Sequence, residues 1–214
     1  DRITPLLEQW VATLPSTGKK ASSFRDMGVR FPAKLVAEEV RKGREPRGQT
    51  VISFFAATNL DELEMHRARA AASILEERLR VILREQLGAT YGASVGYADR
   101  LPAKGYGTMI VDFGSAPENI DRMVAATLKE IERLKSEGPS AGDVAKDQEI
   151  ERRELETARE RNGSWLGWLR AYTLLGWDPL RINARRERID RLSVASLTET
   201  FRKCFPMDRY TVVT

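Results

Sequence analysis

Two side chains that could take part in a reaction, Arg84 and Tyr91, lie in one short run of the sequence, Leu83-Arg84-Glu85-Gln86-Leu87-Gly88-Ala89-Thr90-Tyr91-Gly92. The pattern places Arg84 at the end of a long helix, Gly88 at the turn out of it and Tyr91 at the head of a strand. A guanidinium offers a fixed fork of donors to a carbonyl or carboxylate, and a neutral phenol can donate to a developing oxyanion. The alternative is structural, because arginine also favours helix C-termini and tyrosine is common in strands.

The chain has a single histidine, His66, and a single cysteine, Cys204. It therefore cannot assemble the usual His/Cys zinc or iron sites, and a disulfide framework is excluded. Any Ser-His-Asp or Cys-His site would have to use His66. We interpret His66 as a packed or boundary residue of an amphipathic helix, with Glu62 four positions earlier as a hydrogen-bond partner.

The sequence lacks the common nucleophile, phosphate-binding and redox motifs. The formal net charge is +4 from 35 Lys+Arg and 31 Asp+Glu, and the two signs are interspersed, which suits a solvated surface better than a nucleic-acid stripe. No apolar run approaches the roughly 18 residues that would span a bilayer. We expect neither a nucleic-acid partner nor a membrane span.

The elements that would position Arg84 and Tyr91 come from the hydrophobic periodicity. Helices are predicted over residues 5–14, from Asp61 to about Gly88, from Pro117 to Gly138, and from Ser140 to about residue 161. A further helix is predicted around residues 194–204, and strands over 35–41, 50–57, 91–97, 108–113 and 210–213. The first two strands are expected to form a hairpin or to be neighbours, and the next two an antiparallel pair. Trp165, Trp168, Leu169 and Tyr172 have helical spacing, and we interpret the two tryptophans as core residues.

This order of elements predicts an α+β fold in which a largely antiparallel mixed sheet is covered by helices on one face. The chain starts at Asp1 without an initiator Met or a signal-type segment, which favours a fragment of a longer chain.

The run around Arg84 resembles the R-E-x-x-G-x-x-Y segment of the pitrilysin and mitochondrial-processing-peptidase family of zinc metallopeptidases, peptidase family M16. Three further stretches resemble the family in the same order: Val40 to Pro46, Gly114 to Asn119, and Arg161 to Leu166. Together they cover most of the chain and are most similar to the bacterial periplasmic-type members. The resemblance is to the C-terminal half of the family's enzymes. It implies that residues 1–214 are one C-terminal domain with the M16-like fold.

Enzymes of the family that this chain resembles hold their catalytic zinc in a homologous N-terminal half. The ligands there are an H-x-x-E-H helix and a downstream Glu. This sequence contains no such motif, so no metal or other cofactor is expected in this chain. Carried over, Arg84 would position the substrate backbone, and Tyr91 would donate to the carbonyl oxygen as it becomes an oxyanion. The implied partners are an N-terminal catalytic half and a peptide substrate, which such enzymes hold by strand addition in the catalytic half.

The resemblance thus implies a domain that is inactive alone and closes over the substrate. A noncatalytic subunit that binds peptides or stabilises a partner is the alternative, and nucleic-acid binding is disfavoured because the Arg-rich segments are interleaved with Glu. The resemblance favours a periplasmic location, although a single cysteine is compatible with the cytoplasm as well.

Overall fold

The structure is a computed structural model that describes residues 2–16, 18, 28, 30–56, 61–86, 92–99 and 106–214. The chain forms two compact units, residues 1–31 and residues 32–214. In the first unit, α1 spans Thr4–Trp10 and has Pro5 in its first turn, where the fixed φ of proline suits the helix. The α1 helix is shorter than predicted because residues 11–14 continue as turns rather than as a regular helix.

The second unit contains a five-stranded mixed sheet. Its strands are β1 Val36–Glu38, β2 Gly48–Ala56, β3 Ala93–Asp99, β4 Gly107–Ser115 and β5 Tyr210–Val213. The spatial order is β1-β5-β2-β4-β3, with β1 and β5 parallel and all other pairs antiparallel. The predicted antiparallel pair β3 and β4 is confirmed. The prediction that β1 and β2 form a hairpin or lie next to each other is wrong, because the last strand, β5, lies between them.

The sheet presents one buried and one partly open face. Along β2, buried and less buried residues alternate, with Ile52 and Phe54 fully buried. The register of β2 with β4 runs from Gly48 opposite Ser115 to Ala56 opposite Gly107, so the same alternation continues across both strands. A period of two is the pattern of a sheet with its core on one side.

The helices of the second unit are α2 Glu62–Leu79, α3 Ile120–Ser136, α4 Ala141–Arg159, α5 Asn162–Leu175, α6 Arg185–Asp190 and α7 Val194–Cys204. Asp61 caps α2, since its carboxylate accepts hydrogen bonds from the amides of Leu63 and Glu64 at 2.9 and 3.0 Å. Ser140 and Asp143 form a reciprocal capping box at the start of α4, the helix that the sequence predicts from Ser140. Short 3₁₀ turns occur at Pro117–Asn119 and Pro179–Ala184.

The core lies between the sheet and helices α2, α3 and α7. An aromatic cluster joins the sheet to α7: the ring of Phe54 lies 5.1 Å from those of Phe205 and Tyr210, and the Phe205 ring lies 5.5 Å from that of Phe201. Burial of such side chains is the largest stabilising contribution in a domain of this size. The predicted α+β sandwich is therefore confirmed.

The aromatic residues of α5 differ from expectation. Tyr172 is buried, but Trp165 is exposed and Trp168 only partly buried, so the prediction that both tryptophans belong to the core is wrong. Helix α5 packs outside the sandwich, against α4 and the 3₁₀ turn before α6. The Trp168 ring lies under the guanidinium of Arg185, 4.6 Å from its centroid, which is a cation–π contact rather than core packing.

Of the helices that the structure describes, none is both long and apolar enough to cross a membrane.

Candidate functional site

The α2 helix does not end as a regular α-helix. After Leu79 the chain continues as a π-helix over Arg80–Gln86, where the helical turn is wider. The sequence predicts the helical character but not the widening, since π-helices have no simple residue signature. Segments of this kind are rare and are frequent at functional sites.

Arg84 lies on this π-helix. The preceding residue, Leu83, is fully buried in the core, while Arg84 is exposed. The two other arginines nearby form ion pairs. The Nε atom of Arg78 lies 2.9 Å from Oε1 of Glu130, and Arg80 pairs with Glu77. Among the residues whose side chains the structure describes, none forms an ion pair with Arg84.

Tyr91 and Gly88, the other two residues of the predicted constellation, lie outside the described residues. The structure does place β3, which begins at Ala93, and this strand is an edge of the sheet. The predicted proximity of Arg84 and Tyr91 therefore stays a prediction.

A hydrogen bond connects α2 directly to this edge strand. The backbone amide of Val95 donates to Oε2 of Glu76 at 2.9 Å. On its other side β3 pairs with β4, with Val95 opposite Val111. The side chain of Glu76 thus satisfies an amide at the edge of the sheet and fixes β3 relative to the helix that leads to Arg84.

His66 lies at the contact between α2 and α4. Its Nε2 lies 2.8 Å from Oε1 and 2.9 Å from Oε2 of Glu151, and the carboxylate accepts the hydrogen bond. The expectation that His66 is a packed or boundary residue agrees with its largely buried side chain. The expected partner is wrong, because Glu62 is held by other groups.

Glu62 is buried and is surrounded by donors from the C-terminal third of the chain. Its Oε1 accepts hydrogen bonds from the hydroxyl of Tyr172 and from Nη2 of Arg188 at 2.7 Å, and its Oε2 lies 3.1 Å from Nε of Arg181. Burial, followed by the hydrogen bond with Glu62, raises the pKa of Tyr172 above its usual range. These contacts fasten α5 and α6 to the start of α2.

A second buried carboxylate faces α2 from α4. Burial raises the pKa of Asp147 to about 6, although a hydrogen bond from Ser73 opposes this, and the charge of Glu151 adds to the increase. Sequence reasoning missed Asp147, because Val144 to Arg161 is rich in charged residues and reads as an exposed surface.

A cavity of about 240 Å³, lined by apolar as well as ionisable side chains, lies beside His66 among α2, α4, α5 and α6. Its ionisable lining residues are Glu62, His66, Arg69, Glu151, Glu154, Arg185 and Arg188. Because acidic and basic groups are nearly balanced and most are paired with each other, this cluster is explained by the joining of the helices.

The described residues do not fit a metal centre. Among residues 2–16, 18, 28, 30–56, 61–86, 92–99 and 106–214, no group of three or more His, Cys, Asp or Glu side chains is placed to hold an ion. His66 is bound to Glu151, and Cys204 is buried, which raises the pKa of its thiol to about 12 and disfavours the thiolate that zinc requires.

Comparison with known proteins agrees with this description. The family model described as the peptidase M16 inactive domain matches residues 1–150. A zinc protease PQQL-like protein of Arabidopsis thaliana is 29% identical over 175 residues, which are 76% of this chain and 18% of that protein.

Two solved structures share the fold. The periplasmic protease PqqL of Escherichia coli matches with a TM-score of 0.82 and 14% identity, over 100% of this chain and 24% of its own. A protease of Helicobacter pylori matches with a TM-score of 0.85 and 13% identity, over 99% of this chain and 51% of its own. The chain thus spans only a fifth to a half of the length of these relatives.

Because the family model matches more than half of the chain and the five-stranded sandwich agrees with its relatives, the chain belongs to peptidase family M16 as the inactive, C-terminal type of domain found in zinc-protease-like proteins.

Proposed function

We propose that this domain completes the active site of an M16-type zinc peptidase by closing over a peptide held in the catalytic half and supplying Arg84 and Tyr91. The observation that carries the proposal is the exposed guanidinium of Arg84, which has no ion-pair partner in the described part of the chain, on a π-helix that precedes an edge strand. Arg78 and Arg80 each pair with a carboxylate of this domain, whereas the described side chains offer Arg84 no such partner.

In this role Arg84 donates to carbonyl groups of the substrate backbone and fixes the peptide in one orientation. The hydroxyl of Tyr91 donates to the carbonyl oxygen as negative charge develops on it. The described residues of this chain do not form a zinc site, so the ion and its water-activating Glu belong to the other half.

The open face of the sheet supports a closing role. Opposite the helices, β2 and β4 carry Val51, Phe55 and Ile110, each partly exposed. A mixed apolar and polar sheet face is suited to shield a bound peptide from water without selecting one side-chain sequence.

We further propose that residues 1–214 act as one such domain, joined to the catalytic half in a longer polypeptide, and that the protein is periplasmic. The relatives support both points, since they are two to five times longer and the Escherichia coli relative is a periplasmic protease.

The test is Tyr91→Phe in the polypeptide that carries this chain together with its H-x-x-E-H half. Loss of the donor should lower kcat about 10²-fold or more with little change in KM, because the hydrogen bond strengthens only in the transition state. An unchanged kcat, or the absence of an H-x-x-E-H half, would leave the noncatalytic-subunit alternative as the better account.

A further inference from the structure

Helix α5 and the turn after it expose an unusual number of large apolar side chains. Trp165, Leu166, Leu169 and Leu174 are 37%, 70%, 44% and 59% exposed, and Leu180 in the following 3₁₀ turn is 72% exposed. At 3.6 residues per turn the four helical residues fall on one half of the circumference, which they share with Arg170 and Thr173. We call this surface, formed by Trp165, Leu166, Leu169 and Leu174, the α5 face.

The opposite half of α5 is firmly attached to the domain. Tyr172 is buried there and its hydroxyl bonds to Glu62, while the ring of Trp168 lies 4.6 Å from the guanidinium of Arg185. The helix is therefore held in place by its other side. Single exposed leucines are ordinary, but a contiguous apolar patch on an anchored helix is typical of an interaction surface.

The charges beside the α5 face are mainly positive. Arg159, Arg161 and Arg170 are exposed on or next to it, with Glu160 as the opposing charge nearby. Two copies of this face brought together would place guanidinium groups against each other, which disfavours a symmetric dimer. The complementary surface is apolar and has an acidic rim.

The lengths of the relatives indicate which part of the protein could carry the complementary surface. This chain accounts for about half of the Helicobacter pylori protease and about a quarter of PqqL, so these polypeptides contain further domain-sized segments linked to the equivalent of this one. A linked domain is present at high effective concentration, and a modest apolar contact is then sufficient for stable docking.

We propose that the α5 face is an interdomain docking surface, covered by an apolar, acid-rimmed surface of another domain of the same polypeptide. This inference rests on the part of the proposed function that joins the chain to further M16-type domains, and it adds the surface that makes the contact.

Thiol labelling of the complete polypeptide tests the proposal. Leu166→Cys is compared with Ile150→Cys, a matched position on α4 that is 38% exposed. In this domain alone Leu166 is the more exposed of the two, so it would label faster. Docking predicts that Leu166→Cys reacts with a maleimide at least tenfold more slowly than Ile150→Cys, measured by mass spectrometry of the two peptides, and that the difference disappears in urea.

Labelling of Leu166→Cys as fast as that of Ile150→Cys would overturn the proposal. Protection that is lost on dilution would assign the α5 face to a second copy of the chain. Protection that requires phosphatidylglycerol vesicles would assign it to a membrane. Either result would also overturn the interdomain proposal. The readout is independent of catalysis: slow labelling with an unchanged kcat for Tyr91→Phe would keep the docking surface and reject the catalytic role.

Discussion

Glu76 on α2 and Val95 on β3 are joined by a hydrogen bond of 2.9 Å from the backbone amide to the carboxylate. The chain between α2 and β3 carries both Arg84 and Tyr91, the two residues that we propose act on the substrate. The bond therefore fixes the distance between the two anchor points of that segment. A carboxylate that accepts from an edge-strand amide also prevents this amide from pairing with another chain.

Replacement of Glu76 by Ala should destabilise the domain by about 1–3 kcal/mol, because the partly buried Val95 amide loses its acceptor. Glu76→Gln is the control, since its side-chain oxygen can still accept, and it should restore most of the loss. Urea unfolding measures both. If Ala and Gln were equally mild, the hydrogen bond would contribute little to the position of β3.

Replacement of Arg84 by Ala should lower kcat/KM of the complete peptidase by about 10-fold to 10²-fold, the usual effect of losing a charged hydrogen-bond donor. Arg84→Lys should recover only part of this, because an ammonium lacks the planar fork. Stability should change by less than about 0.5 kcal/mol, since the side chain is exposed.

The matched control for Arg84 is Arg153→Ala, which removes an exposed arginine from α4 and breaks only a surface ion pair with Glu149. Peptide hydrolysis and urea unfolding are measured for each variant. Equal activity of the Arg84 and Arg153 variants would remove Arg84 from the site.

Asp147 should make the stability of the domain depend on pH. Burial raises its pKa from 3.8 to about 6, so the folded state binds the proton more tightly than the unfolded chain. The contribution of Asp147 to the free energy of unfolding is therefore greatest below about pH 4, and it falls as the pH rises toward 6. The difference corresponds to about 3 kcal/mol at pH 7.

Asp147→Asn should therefore stabilise the domain at pH 7 to 8 and flatten its pH profile between about 4 and 6, because an amide can accept from Ser73 without a buried charge. His66, Glu151 and Glu154 also face this position, so the profile is measured with the Glu151→Gln variant alongside. Destabilisation by Asp147→Asn at neutral pH would show that the carboxylate is stabilised by its surroundings after all.

The periodicity of the sequence predicts β2, β4, α2, α3 and α7 because each of these elements has one apolar face toward a single core. Contacts between distant segments are not predictable in this way. The pairing of His66 with Glu151, 85 residues apart, depends on how α2 and α4 cross, and the insertion of β5 between β1 and β2 depends on the whole topology. Likewise, the apolar spacing of α5 predicts a buried helix, whereas part of that apolar surface faces outward.

The anchor of α5 can be tested separately from its outer face. Glu62 neutralises Arg188, whose side chain is mostly buried, and accepts from Tyr172. Removal of the carboxylate in Glu62→Ala leaves a poorly solvated guanidinium without its counter-charge, since its other acceptors, the carbonyl oxygen of Arg181 and the Tyr172 hydroxyl, are neutral. We expect a loss of about 3–5 kcal/mol in the free energy of unfolding.

Tyr172→Phe retains the ring in its buried position and removes only the hydroxyl, so a loss of about 1–2 kcal/mol is expected. Glu187→Ala breaks an exposed pair with Arg191 and should cost less than about 1 kcal/mol. Urea unfolding ranks the three variants. An order other than Glu62, Tyr172, Glu187 would mean that α5 is held mainly by apolar contacts, among them the packing of the Tyr172 ring against Trp177, rather than by its buried carboxylate.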